Sequence, residues 1–386
     1  MEQINIYSGR KVISRIVTAE EIQDLRACLE PFRSVFAVVD RNVAEKCPVA
    51  SQIMKMLEGR QARIRFVEAS EEGKNLDSVM GICSWLMENG ADRDALVLAV
   101  GGGITTDMAG FAACIYKRGV RFAYVPTTLL SQVDAAIGGK TGVNFESYKN
   151  ILGIIRQPSF TYLCPQMLES LSKRDMLSGA AEMLKTFIME DNGNYQKAAD
   201  LFFDISGEYH MEVMMYGKDE KTVWSDLLRK HRKILTQLVT AAASIKAGVV
   251  SRDQFEKGER RKLNLGHTFA HAVETLAQRD AGERFGTTGV THGEAVAIGL
   301  VLAAKLADRY YRNDRNDPTE LEAKISTDLW DCDIPCHCPY SIEEMAGIMR
   351  KDKKAEGGKI HFVLPKAIGE VETVDLTIDE VIRLMA

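Results

Sequence analysis

Residues 95–103 constrain this chain more than any other stretch: the apolar run from Ala95 to Val100 is followed at once by Gly101, Gly102 and Gly103. A short apolar run without polar alternation reads as a strand buried on both faces, as in a parallel sheet. Glycines directly after such a strand let the backbone reach φ > 0 or approach a ligand closely. A glycine-rich turn from strand into helix also gathers N–H groups that favour a phosphate. Three glycines alone are weak evidence, because tight βα turns use glycine without binding anything. The surrounding fifty residues, Gly101 to Asn150, add Asp107, Lys117, Arg118, Thr127, Thr128, Asp134, Lys140, Lys149 and Asn150. Cations, hydroxyls and carboxylates thus surround a glycine-rich core.

The flanking pattern places this turn in a fold. Val35–Val39 is a short β-branched run ending in Asp40, residues 63–67 alternate polar and apolar, and residues 76–88 show helical apolar spacing. Strands alternating with helices imply a doubly wound parallel sheet, whose ligands bind beyond the carboxyl ends of its strands. Asp40 lies at such an end, where a carboxylate serves equally as acceptor for a ribose diol or as a helix cap. The loop Ser70–Lys74 reads locally as a charged surface loop. From about residue 165 the pattern becomes helical. A chain of 386 residues is long for one core. The expected architecture is a Rossmann-like α/β domain over 1–165 and a mainly α-helical domain over 166–386.

Composition narrows the function. With 46% hydrophobic and 27% charged residues and a net charge of −5, neither disorder nor general nucleic-acid affinity is indicated. No run of about 18 apolar residues and no secretory leader is apparent, so no membrane span is expected. The eight cysteines form no small disulfide framework, which fits a reducing cytoplasm. Cys332, Cys336 and Cys338 cluster with His337, but a second ligand pair at zinc spacing is missing nearby, so they read as ordinary cysteines.

The helical half carries the chemistry. Residues 176–189 form a small-residue apolar helix with Glu182 and Lys185 three apart on one face. Both need partners if buried. Lys246 lies in an alanine-rich helix, and residues 259–274 supply Arg260, Asn264, His267 and His271. His267 and His271, four apart, share a helical face and could be a zinc pair or two hydrogen-bonded core histidines. His292 begins an apolar helix, and Lys353 and Lys354 precede a C-terminal strand. Residues 190–235 mix polar and aromatic residues without legible chemistry, with DNGNYQK (191–197) and YGKDEK (216–221) reading as loops.

The segments GGGITTD (101–107), RGVRF (118–122), VPTTLLSQVDAAIGGKTGVN (125–144), KN (149–150), EMLK (182–185), NLGHTFAH (264–271) and HGEAVAIG (292–299) occur in this order. Together they resemble the dehydroquinate synthase family of sugar phosphate cyclases. The resemblance implies an NAD- and metal-dependent lyase that converts 3-deoxy-D-arabino-heptulosonate 7-phosphate to 3-dehydroquinate and phosphate, with hydride lent to NAD and returned. It implies a zinc or cobalt set of Glu182, His267 and His292, with His271 turned to substrate. It implies cofactor contacts from Asp40, Glu71, Lys74, Gly102, Gly103, Thr105, Thr106, Asp107, Thr127, Thr128, Leu130, Asp134, Lys140 and Lys149.

Substrate anions in a desolvated pocket need cations or aligned N–H groups. The resemblance assigns this to Lys140, Asn150, Lys185, Lys246, Arg260, Asn264, His271 and Lys353 or Lys354. Asp134 is expected to position water or metal ligands, and Arg118 to reach the neighbouring subunit of a homodimer. Thr105–Thr106 and Ala270 depart from the family pattern, at the cofactor loop and between the two histidines. The alternatives are a sister cyclase acting on sedoheptulose 7-phosphate or glucose 6-phosphate, and a metal-dependent alcohol dehydrogenase, which would release reduced cofactor.

Overall fold

The computed structural model describes residues 1–146, 148–280, 284–285, 289–312, 320–350 and 358–385. Two compact units emerge, one of residues 1–176 with 218–255, the other of 177–217 with 256–386. The chain therefore passes between units after 176, 217 and 255, where a single boundary at 165 was expected.

The first unit is built on a seven-stranded sheet. Its strands are β1 (Glu2–Ser8), β2 (Lys11–Thr18), β3 (Val35–Asp40), β4 (Arg63–Val67), β5 (Leu96–Gly101) and β6 (Arg121–Pro126). After a separate hairpin of β7 (Lys140–Phe145) and β8 (Tyr148–Ile155), β9 (Phe160–Leu163) completes it. The order is β1-β2-β9-β6-β5-β3-β4, with every pairing parallel except β1 with β2. Along β3, Val35, Ala37 and Val39 pack with Leu25, Ile53 and Leu57 on one face. Phe36 and Val38 pack with Val79, Ile82 and Leu86 on the other. Burial on both faces is why β3 and β5 read as unbroken apolar runs.

The helix Arg232–Arg252 is long and apolar enough to cross a bilayer by composition, although the sequence reading anticipated no such run. In the fold 61% of its apolar window is buried, and it lies on β1. Its apolarity thus serves the core of the first unit.

The second unit is mainly helical and includes Leu177–Met189 of the helix Lys173–Met189, with His267–Arg279 and His292–Arg312. The stretches 191–197 and 216–221, read from sequence as loops, lead into the helices Tyr195–His210 and Glu220–Lys230, which begin at their ends, the second helix belonging to the first unit. A hairpin of β10 (Lys359–Ala367) and β11 (Glu370–Thr377) joins the helices of the second unit. Phe362 of β10 stacks on Phe269, with ring centroids 5.6 Å apart.

Candidate active-site residues and metal centre

In the first unit, β3, β5 and β6 are neighbours, so their carboxyl ends present Asp40, Gly101–Gly103 and Thr127–Thr128 side by side. The glycine turn works by close approach. None of the three glycines has positive φ. A Cβ on Gly101 would lie 2.6 Å from the side chain of Thr105, and one on Gly102 3.1 Å from that of Thr128. Gly102 caps the helix Gly103–Ile115 without a side chain, so no side-chain oxygen blocks the positive end of that helix. Thr105 and Thr106 are buried, and the Thr106 hydroxyl bonds back to the carbonyl of Gly103 at 2.9 Å. Leu130 is half-buried, just before the π-helical turn Ser131–Ala135.

Asp40 is a helix cap here: its carboxylate accepts from the N–H of Asn42 at 2.9 Å. Burial raises its carboxyl above the usual range, and that hydrogen bond pulls the other way. Lys74 is buried, with Nζ 2.6 Å from Asp107 Oδ2 and 2.5 Å from Asn150 Oδ1. Burial pushes Asp107 up to about 6 even though Lys74 opposes it. Glu71 accepts from Asn144 of β7 at 2.8 Å, tying the 70–74 loop to the hairpin. Lys140 and Lys149 lie exposed on that hairpin. Lys246 donates to both the carboxylate (2.5 Å) and the carbonyl (2.7 Å) of Asp134. Asp134, expected to serve water or metal ligands, thus holds a buried lysine. Arg118 is exposed on a turn where Lys117, Arg118 and Gly119 all have positive φ.

In the second unit two close helix approaches assemble a three-ligand cluster. A Cβ on Gly293 would sit 2.0 Å from the Ser178 carbonyl oxygen, and the Gly293 N–H donates to Ser178 Oγ at 3.0 Å. That contact brings His292 to Glu182, one turn along from Ser178. A Cβ on Gly299 would sit 2.1 Å from the carbonyl oxygen of Gly266, itself left-handed at φ +76. That contact brings the start of the helix His267–Arg279 against His292–Arg312. Ala270, a departure from the family pattern, is fully buried at the same crossing.

The cluster is Glu182, His267 and His292, whose ligand atoms lie within 4.8 Å of one another. Glu182 Oε1 is 3.1 Å from His292 Nε2 and 3.5 Å from His267 Nε2. His267 Nδ1 faces the carbonyl of Leu265 at 3.1 Å, and His292 Nδ1 faces Glu274 at 3.4 Å. The Nδ1 of each histidine meets an outer acceptor and the Nε2 of each turns inward to Glu182, the arrangement of metal-binding histidines with an outer carbonyl or carboxylate. Lys185, 1% exposed, sits 2.6 Å from Glu182 Oε2. Burial opposes the charge on Glu182, yet Lys185 and the two histidines hold its carboxyl well below the usual range. Burial and the Lys185 charge push His267 down to about 3. Although burial resists its charge, Glu182 and Glu274 raise His292 to about 10. One carboxylate and two imidazoles suit zinc or cobalt and leave positions for substrate or water.

His271 stands edge-on to His267 with ring centroids 5.7 Å apart, outside the trio. Arg260 is 2% exposed, and Asn264 donates to Glu256 at 2.8 Å. Lys353 and Lys354 lie outside the described residues. Cys332, Cys336 and Cys338 each donate to a different backbone carbonyl. Those three thiols therefore do not converge on one point. Sequence reasoning passed over Glu274, although it sits seven residues after His267 on the same helical face, and over Glu256.

Family models described as 3-dehydroquinate synthase N-terminal and C-terminal match residues 64–178 and 179–355. The 3-dehydroquinate synthase of Alkaliphilus metalliredigens is 34% identical over 90% of this chain and 87% of its own. That of Geotalea uraniireducens is 38% identical over 78% of this chain and 75% of its own. Among solved structures, 2-epi-5-epi-valiolone synthase from Streptomyces hygroscopicus, with NAD+ and Zn2+ bound, is 26% identical with a TM-score of 0.74, covering 97% and 96% of the two chains. A 2-deoxy-scyllo-inosose synthase complexed with carbaglucose-6-phosphate, NAD+ and Co2+ shares the fold at 22% identity, with a TM-score of 0.74 over 100% and 99%. A 1,3-propanediol oxidoreductase shares it more distantly, at 13% identity and a TM-score of 0.60 over 100% and 99%.

Proposed function

This chain belongs to the 3-dehydroquinate synthase family, and from that premise we propose that it converts 3-deoxy-D-arabino-heptulosonate 7-phosphate to 3-dehydroquinate and phosphate. The reaction is a phosphate-eliminating, redox-neutral cyclisation, which makes the enzyme a carbon–oxygen lyase. The observation that carries the reading is the cluster of Glu182, His267 and His292 with both Nδ1 atoms turned to outer acceptors. A divalent metal there supplies polarisation of a substrate hydroxyl, and NAD supplies a reversible hydride acceptor.

The chain's own residues bind, orient and balance charge. Glu182, His267 and His292 hold the metal, and Lys185 offsets the negative charge of Glu182. Gly102, Gly103 and the uncapped start of the helix Gly103–Ile115 receive the cofactor's pyrophosphate. Asp40, Glu71, Lys74, Thr105, Thr106, Asp107, Thr127, Thr128, Leu130, Lys140 and Lys149 complete that site. Asp134 orients Lys246 so that its ammonium points in one fixed direction. Lys140, Asn150, Lys246, Arg260, Asn264, His271 and one of Lys353 and Lys354 hold the substrate's phosphate and carboxylate. Arg118, on its exposed positive-φ turn, is proposed to serve the neighbouring subunit of a homodimer. The proposed compartment is the cytoplasm.

The test mixes the purified chain, NAD+, Zn2+ and the heptulosonate phosphate, follows phosphate release, and identifies the carbocycle by NMR. One phosphate per 3-dehydroquinate without net NADH is expected. Turnover of sedoheptulose 7-phosphate or glucose 6-phosphate instead would reassign the chain to a sister cyclase. Net NADH from a simple alcohol would overturn the cyclase reading.

A further inference from the structure

Arg260 and Asn264 lie on the 3₁₀ segment Glu259–Asn264, which runs through Gly266 directly into the helix that begins at His267. Short 3₁₀ segments have poor internal hydrogen bonds and depend on outside anchors for a fixed shape. Between this segment and β11 lies an open groove of about 420 Å³, lined by Glu259, Arg261 and Lys262 on one side and Val371, Glu372 and Thr373 on the other. Side-chain packing does not fill that space. A polar chain spans from the segment to the hairpin instead. Arg261 Nη1 lies 3.2 Å from His361 Nε2 on β10, and His361 Nδ1 is bonded to Asp375 Oδ1 on β11. His361 and Asp375 are direct cross-strand partners. Arginine can only donate, so His361 Nε2 must accept and Nδ1 must carry the hydrogen given to Asp375. The carboxylate thereby sets the tautomer that receives Arg261, and Phe362 beside His361 is locked on Phe269.

We propose that Asp375, His361 and Arg261 form a positioning relay that fixes the Glu259–Asn264 segment, and through it aims the buried Arg260 and the half-buried Asn264 at a substrate anion. The proposal rests on the function proposed above, which gives Arg260 and Asn264 their ligand. The three relay residues touch no substrate themselves and act only through the segment.

Three full-length variants, loaded with NAD+ and zinc, test it: H361A, H361Q and R261A. Glutamine puts an amide oxygen near the place of Nε2 and keeps an acceptor for Arg261. Amide hydrogen exchange over residues 259–264 should accelerate about tenfold in H361A and R261A, and stay near wild type in H361Q. KM for the heptulosonate phosphate should rise about tenfold in H361A and R261A, the size typical of losing an outer partner, with kcat changing less. Zinc content and KM for NAD+ should not move, which a general loss of structure would not spare. Unchanged exchange overturns the relay. Faster exchange with unchanged KM overturns its positioning role, as does H361Q behaving like H361A. A wild-type chain that does not turn over this substrate sinks the function reading instead, while the exchange rates still decide whether the relay anchors the segment.

Discussion

Replacing Gly293 with alanine is expected to empty the metal centre while the sheet unit stays folded. A Cβ at that position would lie 2.0 Å from the carbonyl oxygen of Ser178, 2.4 Å from its Cα and 2.5 Å from its carbonyl carbon. All three are backbone atoms of a helix, so no rotamer change relieves the clash. Reaching an ordinary contact of 3.4 Å requires the start of the helix His292–Arg312 to retreat by about 1.4 Å. His292 adjoins Gly293, and Glu182 lies one turn beyond Ser178, so the retreat pulls directly on the pair now 3.1 Å apart. Metal–ligand distances tolerate only about 0.2 Å. Losing an outer partner alone costs about 10–100-fold in metal affinity, and a displaced ligand should exceed the upper figure. Overpacking should remove about 1–3 kcal/mol of stability as well. Zinc per chain after equilibrium dialysis against a buffered chelator measures the first effect, urea unfolding the second, and NAD+ titration reports on the first unit. A G293A chain that keeps one zinc at wild-type affinity and unfolds at the wild-type midpoint would refute the steric argument.

Four further outcomes follow from the charges and contacts in the structure. Metal binding should release about one proton near pH 8, because His292, raised to about 10, must lose its proton, while His267, depressed to about 3, has none to lose. Calorimetry in two buffers of different ionisation enthalpy counts that proton, and a count of zero would contradict the pairing with Glu182 and Glu274. In metal-free protein the two histidines act oppositely: the stabilisation from His292 is full below about 6.5 and lost as pH rises to about 10, whereas that from His267 is full above about 6.5 and lost as pH falls toward about 3. Their joint contribution to the melting temperature should therefore peak near 6.5, seen as the difference between the wild type and the H267Q/H292Q chain.

Lys74→Met leaves the Asp107 carboxylate without its ammonium and should cost about 3 kcal/mol in urea unfolding at pH 8. The loss should be smaller at pH 5, where Asp107, already raised to about 6, is largely protonated; equal losses at both pH values would argue against the ion pair. Gly207→Ala, in the exposed interior of the helix Tyr195–His210 with open space around the added carbon, should stabilise by about 0.5–1 kcal/mol, and a lower unfolding midpoint would count against that placement.

Much of this site was legible before the fold. The run 95–100 and its glycines announced a βα turn, and the resemblance of the motifs named the three residues that the structure brings together at Glu182. Spacing alone pointed elsewhere, to His267 with His271. That pair shares a helical face, but the second imidazole that faces Glu182 comes from His292, on another helix. The sequence reading offered two roles for Asp40, and the observed one is the cap. The glycines 101–103 were explained in part by positive φ, and the structure shows crowding by side chains instead. Residues 198–210 gave no clear pattern in the sequence because their polar and aromatic residues mask a helical apolar face of Ala198, Leu201, Phe202 and Ile205.

By itself the sequence determined what depends on nearest neighbours along the chain. Strands buried on both faces must be apolar throughout, a turn that must admit close contacts needs glycine, and ionisable residues in apolar helices demand partners. The tertiary structure alone decided what depends on distance between segments. Gly293 and Gly299 carry no chemistry that a linear reading could find, yet the missing Cβ atoms let three helices meet closely enough for one carboxylate oxygen to face two imidazoles. Glu274, Asp134 and the chain from Asp375 to Arg261 likewise acquire partners 18, 112 and 14 to 100 residues away, and such pairings follow from packing rather than periodicity.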